Sequence, residues 1–402
     1  MSTKPPANPP RDEPIFWLIS AMLGTQSVAV LILMTVPVMA TEIAPDFGVD
    51  AKDIGVFMSI VFVFAMFFSA ASGSLVHRFG GIRTNQIGMA FSACCLLLAL
   101  TKSLPLLFVG AALIGLGYGP NTPAGSHVLA RVTPANAMGL VFSFKQSGAP
   151  LGGLVAGLLV PTVAESYGWE TAIYTSFTVA ALAIVGIQPL RDRLDDDRDP
   201  NTKIVFSSPW RAIRSVALDR RLRRLTFAAF SLTSTQAIVM TYLVVFLIQE
   251  LGIAFTTAGA VFACSQAAGA TVRVLMGWLA DKALGARTTL VMMGMVSSTG
   301  LVGLTFLSPD SPLLVIVTLS VILGAASFGW NGVFLAEVAS EARSKSVGEA
   351  TGGSLFFLYG GLVFGPMIMS LLITMTSGYT VPFFAFAALT WVACLNLFRT
   401  KQ

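Results

Sequence analysis

Apolar runs of about twenty residues, each closed by a short polar connection, recur along the chain from position 15 to position 398. They lie at 15–39, 54–76, 84–101, 105–129, 137–161, 171–189, 225–249, 254–277, 288–307, 312–336, 348–374 and 380–398. An α-helix needs roughly 20 apolar residues to cross a bilayer, and these runs are near that length. None alternates with period two, so they predict helices, which close their hydrogen bonds internally, and not strands of a barrel. The expected fold is an all-α membrane protein with twelve transmembrane helices.

The stretch MSTKPPANPPRDEP at 1–14 breaks the pattern: it is polar and rich in proline, so it predicts a disordered tail and not a signal peptide. A second break, 191–224, is long, basic and patched with aspartate. The resulting organisation is a tail at 1–14, a six-helix bundle at 15–190, a central loop at 191–224, a second bundle at 225–398 and a short end at 399–402.

Composition strengthens this reading: 55% of residues are hydrophobic, only 11% are charged, and mean hydropathy is +0.78. Soluble domains carry roughly 25% charged residues. The four cysteines, Cys94, Cys95, Cys264 and Cys394, all fall in apolar runs, where they act as small hydrophobes and build neither a disulfide framework nor a metal site. No nucleophile constellation, metal-ligand cluster or phosphate-binding loop is present, so an enzyme is not expected, nor is a cofactor.

The 25 Lys and Arg residues sort by side. Counting connections alternately, twenty-one fall on one face, ten of them between Arg191 and Arg224, and only Lys52 and Lys102 fall on the other. Positive residues mark the cytoplasmic side. Both termini are therefore expected in the cytoplasm of a cell bounded by a bacterial-type inner membrane. The net charge of +5 is explained as a topology signal, and no nucleic-acid partner is implied.

The two halves repeat. GSLVHRFGGIR (73–83) matches GWLADKALGAR (277–287) at an offset of 204, pairing Gly73 with Gly277, Gly81 with Gly285 and Arg83 with Arg287. Thr25-Gln26 matches Thr235-Gln236, and Gly119-Pro120-Asn121 matches Gly329-Trp330-Asn331, both at an offset of 210. Repeated halves with polar residues in mid-membrane are how secondary transporters build a central site.

Twelve runs, a basic central loop and the doubled G-x-L-x-D-R/K-x-x-G-x-R motif resemble the major facilitator superfamily over nearly the whole chain. The resemblance implies two six-helix bundles rocking about a cavity lined by helices 1, 4, 7 and 10, with 2, 5, 8 and 11 at the bundle interface. It also implies gating roles for the loop residues Gly73, His77, Arg78, Arg83, Gly277, Asp281 and Arg287, with Glu337 and Glu349 near the same face. His77 departs from the pattern, standing where the family has Asp; the second copy keeps Asp281. Two departures count against multidrug efflux: Ala111 replaces an arginine, and the helix-five signature appears in the altered form GAPLGG (148–153).

Two cations remain inside spans, Lys145 and Arg273. Arg273 lies eight residues before Asp281, about 12 Å into the membrane at 1.5 Å per residue, and Lys145 reaches a similar depth from the start of its run. A charge there costs a few kcal/mol, and no acidic residue shares the depth. An anion between the two would relieve that cost. The stretch RVLMGWLAD (273–281) also resembles helix eight of the monocarboxylate and oxalate/formate transporters, which implies that Arg273 binds a substrate carboxylate. The acid those transporters carry four residues earlier is replaced by Gly269.

Plainer readings stand beside these. Lys145 and Arg273 can snorkel or cap carbonyls at the bundle interface. Gln26, Asn121, Gln236 and Asn331 can be interhelical hydrogen-bond glue as well as cavity residues. Glu349 suits a helix N-terminus, and His127 suits a solvent-facing position. The expectation is a secondary transporter for a small organic anion, a carboxylate, working as a monomer by proton symport or anion exchange. Lys145, Arg273, Gln26, Asn121, Gln236 and Asn331 would form the site. The alternative is an exporter of amphiphilic compounds with the two cations as latches.

Overall fold

The computed structural model describes residues 15–133, 138–206, 210–341 and 347–399. Among the described residues, eleven helices are long and apolar enough to cross a membrane. We number the spans α1 (Phe16–Val38), α2 (Ala51–Ser69), α3 (Gly81–Thr101), α4 (Leu104–Val132), α5 (Val141–Tyr167) and α6 (Trp169–Leu194). The second half holds α7 (Arg220–Gln249), α8 (Phe255–Leu284), α9 (Ala286–Leu304), α10 (Leu313–Val338), α11 (Val347–Thr376) and α12 (Thr380–Phe398). The twelfth, α9, is as long as α2 and α12 but more polar, opening on Arg287-Thr288-Thr289 and carrying Ser297-Ser298-Thr299.

The central segment is more helical than its composition implies. Trp210–Leu218 forms an amphipathic helix along the bundle, and α7 starts at Arg220, so Arg220–Arg224 belong to its first turns instead of to a loop. Asp219 explains the start: its carboxylate accepts from the amides of Arg221 at 2.9 Å and Leu222 at 3.2 Å, groups that a helix start leaves without partners.

The doubled loop motif is preserved with one correction to its register. Gly80 and Gly285 both have positive φ, 90° and 74°, and each immediately precedes the next span. The sequence match pairs Gly81 with Gly285, but in the structure Gly80 plays that part. The second copy ends in a π-helical turn, Ala280–Leu284, closed by Gly285 N–H on the Ala280 carbonyl at 3.0 Å, whereas Gly80 N–H reaches the Val76 carbonyl one position nearer. The wider turn absorbs one extra residue.

Glycines set how closely the two halves approach. A Cβ on Gly157 would lie 2.7 Å from the Gly259 carbonyl oxygen, and one on Gly259 would lie 2.4 Å from that of Gly157, so α5 and α8 touch backbone to backbone. Gly55 leaves room for the Tyr242 hydroxyl, which donates to the carbonyls of Lys52 at 3.1 Å and Pro366 at 3.0 Å. Ser59 Oγ of α2 donates to the Val363 carbonyl of α11 at 2.6 Å. These contacts join the halves toward the face opposite the Lys/Arg-rich connections.

Candidate functional site

Spans α4 and α10 each break at the same place in the repeat. Leu104–Tyr118 gives way to Asn121–Val132 across Gly119-Pro120, and Leu313–Phe328 gives way to Asn331–Glu341 across Gly329-Trp330. Span α5 breaks as well, at Ser147, between Met138–Gln146 and Gly148–Tyr167. Broken helices expose carbonyls that lack an intrahelical donor. The two cations go to backbone carbonyls beside these breaks.

Arg273 is 5% exposed. Its Nε donates to the Phe328 carbonyl at 3.0 Å, the last carbonyl before the α10 break, and its Nη1 donates to the Gln146 carbonyl at 2.6 Å across the bundle interface. Pro150 explains the second acceptor: it stands four residues after Gln146 and has no N–H to close that turn. Lys145 is 1% exposed. Its ammonium donates to the Thr122 carbonyl at 3.1 Å, in the space that Gly125 leaves, where a Cβ would meet Lys145 Cε at 3.0 Å. The two cations thus arrive at successive residues of α5, with Lys145 turned into its own half and Arg273 crossing from the other. Among the described residues neither forms an ion pair.

The four amides occupy related positions. Gln26 of α1 accepts from Thr122 Oγ1 at 3.2 Å, and Gln236 of α7 accepts from Asn331 Nδ2 at 3.0 Å, so a glutamine is bonded beside each break. Asn121 differs: it is buried, and neither its Oδ1 nor its Nδ2 has a partner among the described residues. An orphaned amide in a buried site costs roughly 1–3 kcal/mol, which a bound polar group would recover.

Several neighbours were not singled out from the sequence. Thr122 links Gln26 to the Lys145 carbonyl contact. The phenols of Tyr118 and Tyr359 lie within electrostatic reach of each other, and Tyr118 of Arg273. Trp330 is fully buried with its indole N–H on the Ser327 carbonyl at 2.9 Å. Tyr118 and Trp330 are adjacent to or within the repeated Gly-x-Asn triplets, the one sequence signal that could have found them.

The motif residues of the basic face sort into two groups. In the first half, Arg78 Nη1 donates to the Thr202 carbonyl at 3.3 Å, Arg83 Nη1 to Gln86 at 3.3 Å, and the exposed His77 ring stacks edge-on against His127 at 5.9 Å. His127 is not simply solvent-facing: its Nε2 meets Asp197 at 2.7 Å. Asp195 caps α3 from the central segment, accepting from Ile82 N at 2.8 Å and Arg83 N at 2.9 Å, while Arg131 pairs with Asp196 at 2.6 Å and Asp197 at 2.8 Å. In the second half, Arg287 pairs with Glu337 at 2.8 Å and with Glu341. Asp281 is exposed on the π-helical turn and bonds to none of the described residues. Gly73 and Gly277 face open space. Glu349 lies in the first turn of α11, with its side chain outside the described residues.

Comparison with known proteins adds four findings. The family model described as the Major Facilitator Superfamily matches residues 17–357. The Bacillus subtilis protein named "Probable galactarate/D-glucarate transporter GudP" is 22% identical over 382 residues, covering 86% of this chain and 82% of that protein. The "4-hydroxybenzoate transporter PcaK" of Pseudomonas putida is 27% identical over 154 residues, 38% of this chain and 32% of that one. Among solved structures, a peptide transporter, POT, in complex with sulfate superposes with a TM-score of 0.76 at 15% identity, covering 98% of this chain and 95% of that chain. At that identity the likeness is one of fold.

Proposed function

The chain belongs to the major facilitator superfamily, and on that footing we propose that it is a secondary transporter of a small organic anion, a carboxylate, bound at Arg273 and Lys145. The observation that carries this reading is the pair of buried cations, each supplied with neutral carbonyl acceptors and neither with a counter-charge among the described residues. Carbonyls satisfy N–H groups but leave the net charge, and a buried charge without an opposite one is expensive. An incoming carboxylate supplies that charge, and the Arg273 fork matches its two oxygens. Asn121, with its unpartnered amide, and Gln26, Gln236 and Asn331 would take the polar remainder.

The names of the relatives support an acidic cargo, since one is named for sugar diacids and another for an aromatic carboxylate. Coupling follows from the charge inventory. No carboxylate lies in mid-span among the described residues, so anion exchange, or symport in which the substrate itself carries the proton, fits better than a proton relay through the protein. In this reading the basic face is cytoplasmic.

The test is uptake of radiolabelled mono- and dicarboxylates, a hexaric diacid included, into proteoliposomes. Arg273→Ala and Lys145→Ala are each expected to abolish uptake while the purified variants stay folded; unaltered uptake in both would overturn the site. The second reading, an exporter of amphiphilic compounds with the cations as latches, draws on the Arg273–Gln146 tie between the halves. It predicts that the unmodified protein moves no carboxylate in the same assay.

A further inference from the structure

The first turns of α7 hold four arginines that the transport reading does not use, of which Arg221 pairs with Glu341 at 3.6 Å and the other three share a cavity. Arg220, Arg223 and Arg224, with Phe227 below them and Asn396 of α12 beside them, line a cavity of about 420 Å³ at the basic face. Its lining contains no carboxylate among the described residues. The amides of Arg221 and Leu222 at the helix start are occupied by Asp219, so the cavity offers an anion guanidinium side chains.

The surroundings are those of a membrane boundary. Arg223 Nη1 donates to the Ala217 carbonyl at 3.0 Å, which ties α7 to the amphipathic helix Trp210–Leu218. That helix turns Val216 inward and leaves Trp210 74% and Leu218 72% exposed. Aromatic and aliphatic side chains beside arginines are how a helix lies at the headgroup level. Along α12 from Asn396, Val392, Leu395 and Phe398 are exposed, giving an apolar track next to the cavity.

We propose that this cavity binds the phosphodiester headgroup of an anionic phospholipid, with its acyl chains lying along Phe227 and the exposed apolar face of α12. A free phosphate would use the arginines alone. A lipid also uses the apolar floor at Phe227 and the exposed apolar face of α12, and basic pockets between spans on this side of a membrane suit such headgroups. The site shares no residue with the Lys145–Arg273 region, so its fate is independent of the transport reading.

Native mass spectrometry of the full chain in detergent tests the proposal, with phosphatidylglycerol, phosphatidylethanolamine and inorganic phosphate as probes. Phosphatidylglycerol is expected to be retained in preference to phosphatidylethanolamine. Each arginine contributes about fivefold, so the triple variant R220Q/R223Q/R224Q should lose roughly a hundredfold, and the triple lysine variant should keep most of the binding. Should the triple glutamine variant not purify folded, Arg224→Gln alone decides, with an expected loss of about fivefold. Equal retention of the two lipids, or phosphatidylglycerol binding unchanged in the glutamine variants, overturns the site. Displacement of the lipid by millimolar inorganic phosphate overturns the lipid assignment in favour of a soluble phosphate ester.

Discussion

Residue 146 has a proline four positions ahead of it, so the amide that ordinarily closes its helical hydrogen bond is missing, and Arg273 Nη1 donates to the vacant carbonyl instead. This makes a specific coupling testable. With Pro150→Ala the helix supplies its own donor to Gln146, and the stability lost on Arg273→Ala should then shrink by about 1 kcal/mol in a double-mutant cycle of unfolding in micelles. Additive effects would mean that the Arg273–Gln146 bond carries little of the stability. A second expectation separates charge from geometry: Arg273→Lys keeps the charge but gives up the fork, and uptake should fall at least tenfold while Lys145→Arg is tolerated better. Both cations were legible in the sequence because every other Lys and Arg could be placed on a face of the membrane. Their acceptors were not, because a sequence does not say which way a long side chain turns. Pro150 was the one available clue, since a proline four residues on leaves the Gln146 carbonyl without its helical donor.

Among elements, the central segment behaves as a clasp on the first bundle's basic face. Asp195 is buried and holds two helix-start amides of α3, and a Cβ on Gly80 would lie 2.1 Å from its Cγ. Asp195→Ala should cost about 1–2 kcal/mol, read as a lower unfolding temperature, as for loss of a helix cap. Burial pushes the Asp195 carboxyl above its ordinary value, although the two amide bonds and Arg191 oppose the shift. The native state therefore binds this proton more readily than the unfolded chain does, and the contribution of this group to stability falls as pH rises through its raised value. Asp195→Asn, which keeps an acceptor without the charge, should lose less than Asp195→Ala and flatten that dependence. The spans themselves were legible from their apolar runs. The clasp was not, because its aspartates read in sequence as an acidic patch in a basic connection, and only the fold brings 195–197 against α3 and α4. The one-residue shift between the loop copies was hidden likewise, since a π-helical turn leaves the motif letters in place.

For the whole molecule, the contacts between halves described above, apart from the Arg273–Gln146 bond, lie toward the face opposite the basic connections, whereas the ion pairs of the basic face, Arg131 with Asp196 and Asp197 and Arg287 with Glu337, each stay within one half. Alternating access through the Lys145–Arg273 region therefore requires the Gly157–Gly259 and Gly55–Tyr242 contacts to part during the cycle. Gln249 Nε2 of α7 and Asp50 Oδ1 lie 3.5 Å apart across that same face. Once Cys94, Cys95, Cys264 and Cys394 have been replaced by serine, the pair Asp50→Cys and Gln249→Cys should be bridged by a bifunctional thiol reagent that attaches through reducible disulfides and spans the length the two shortened side chains give up. The cross-linked protein should take up no substrate and recover on reduction. Gly259→Val, which places side-chain atoms against the Gly157 carbonyl, should lower the cross-linking yield by holding α5 and α8 apart. Continued uptake by fully cross-linked protein would show that this face need not open, and the two-bundle rocking expected of the superfamily would then have to pivot elsewhere.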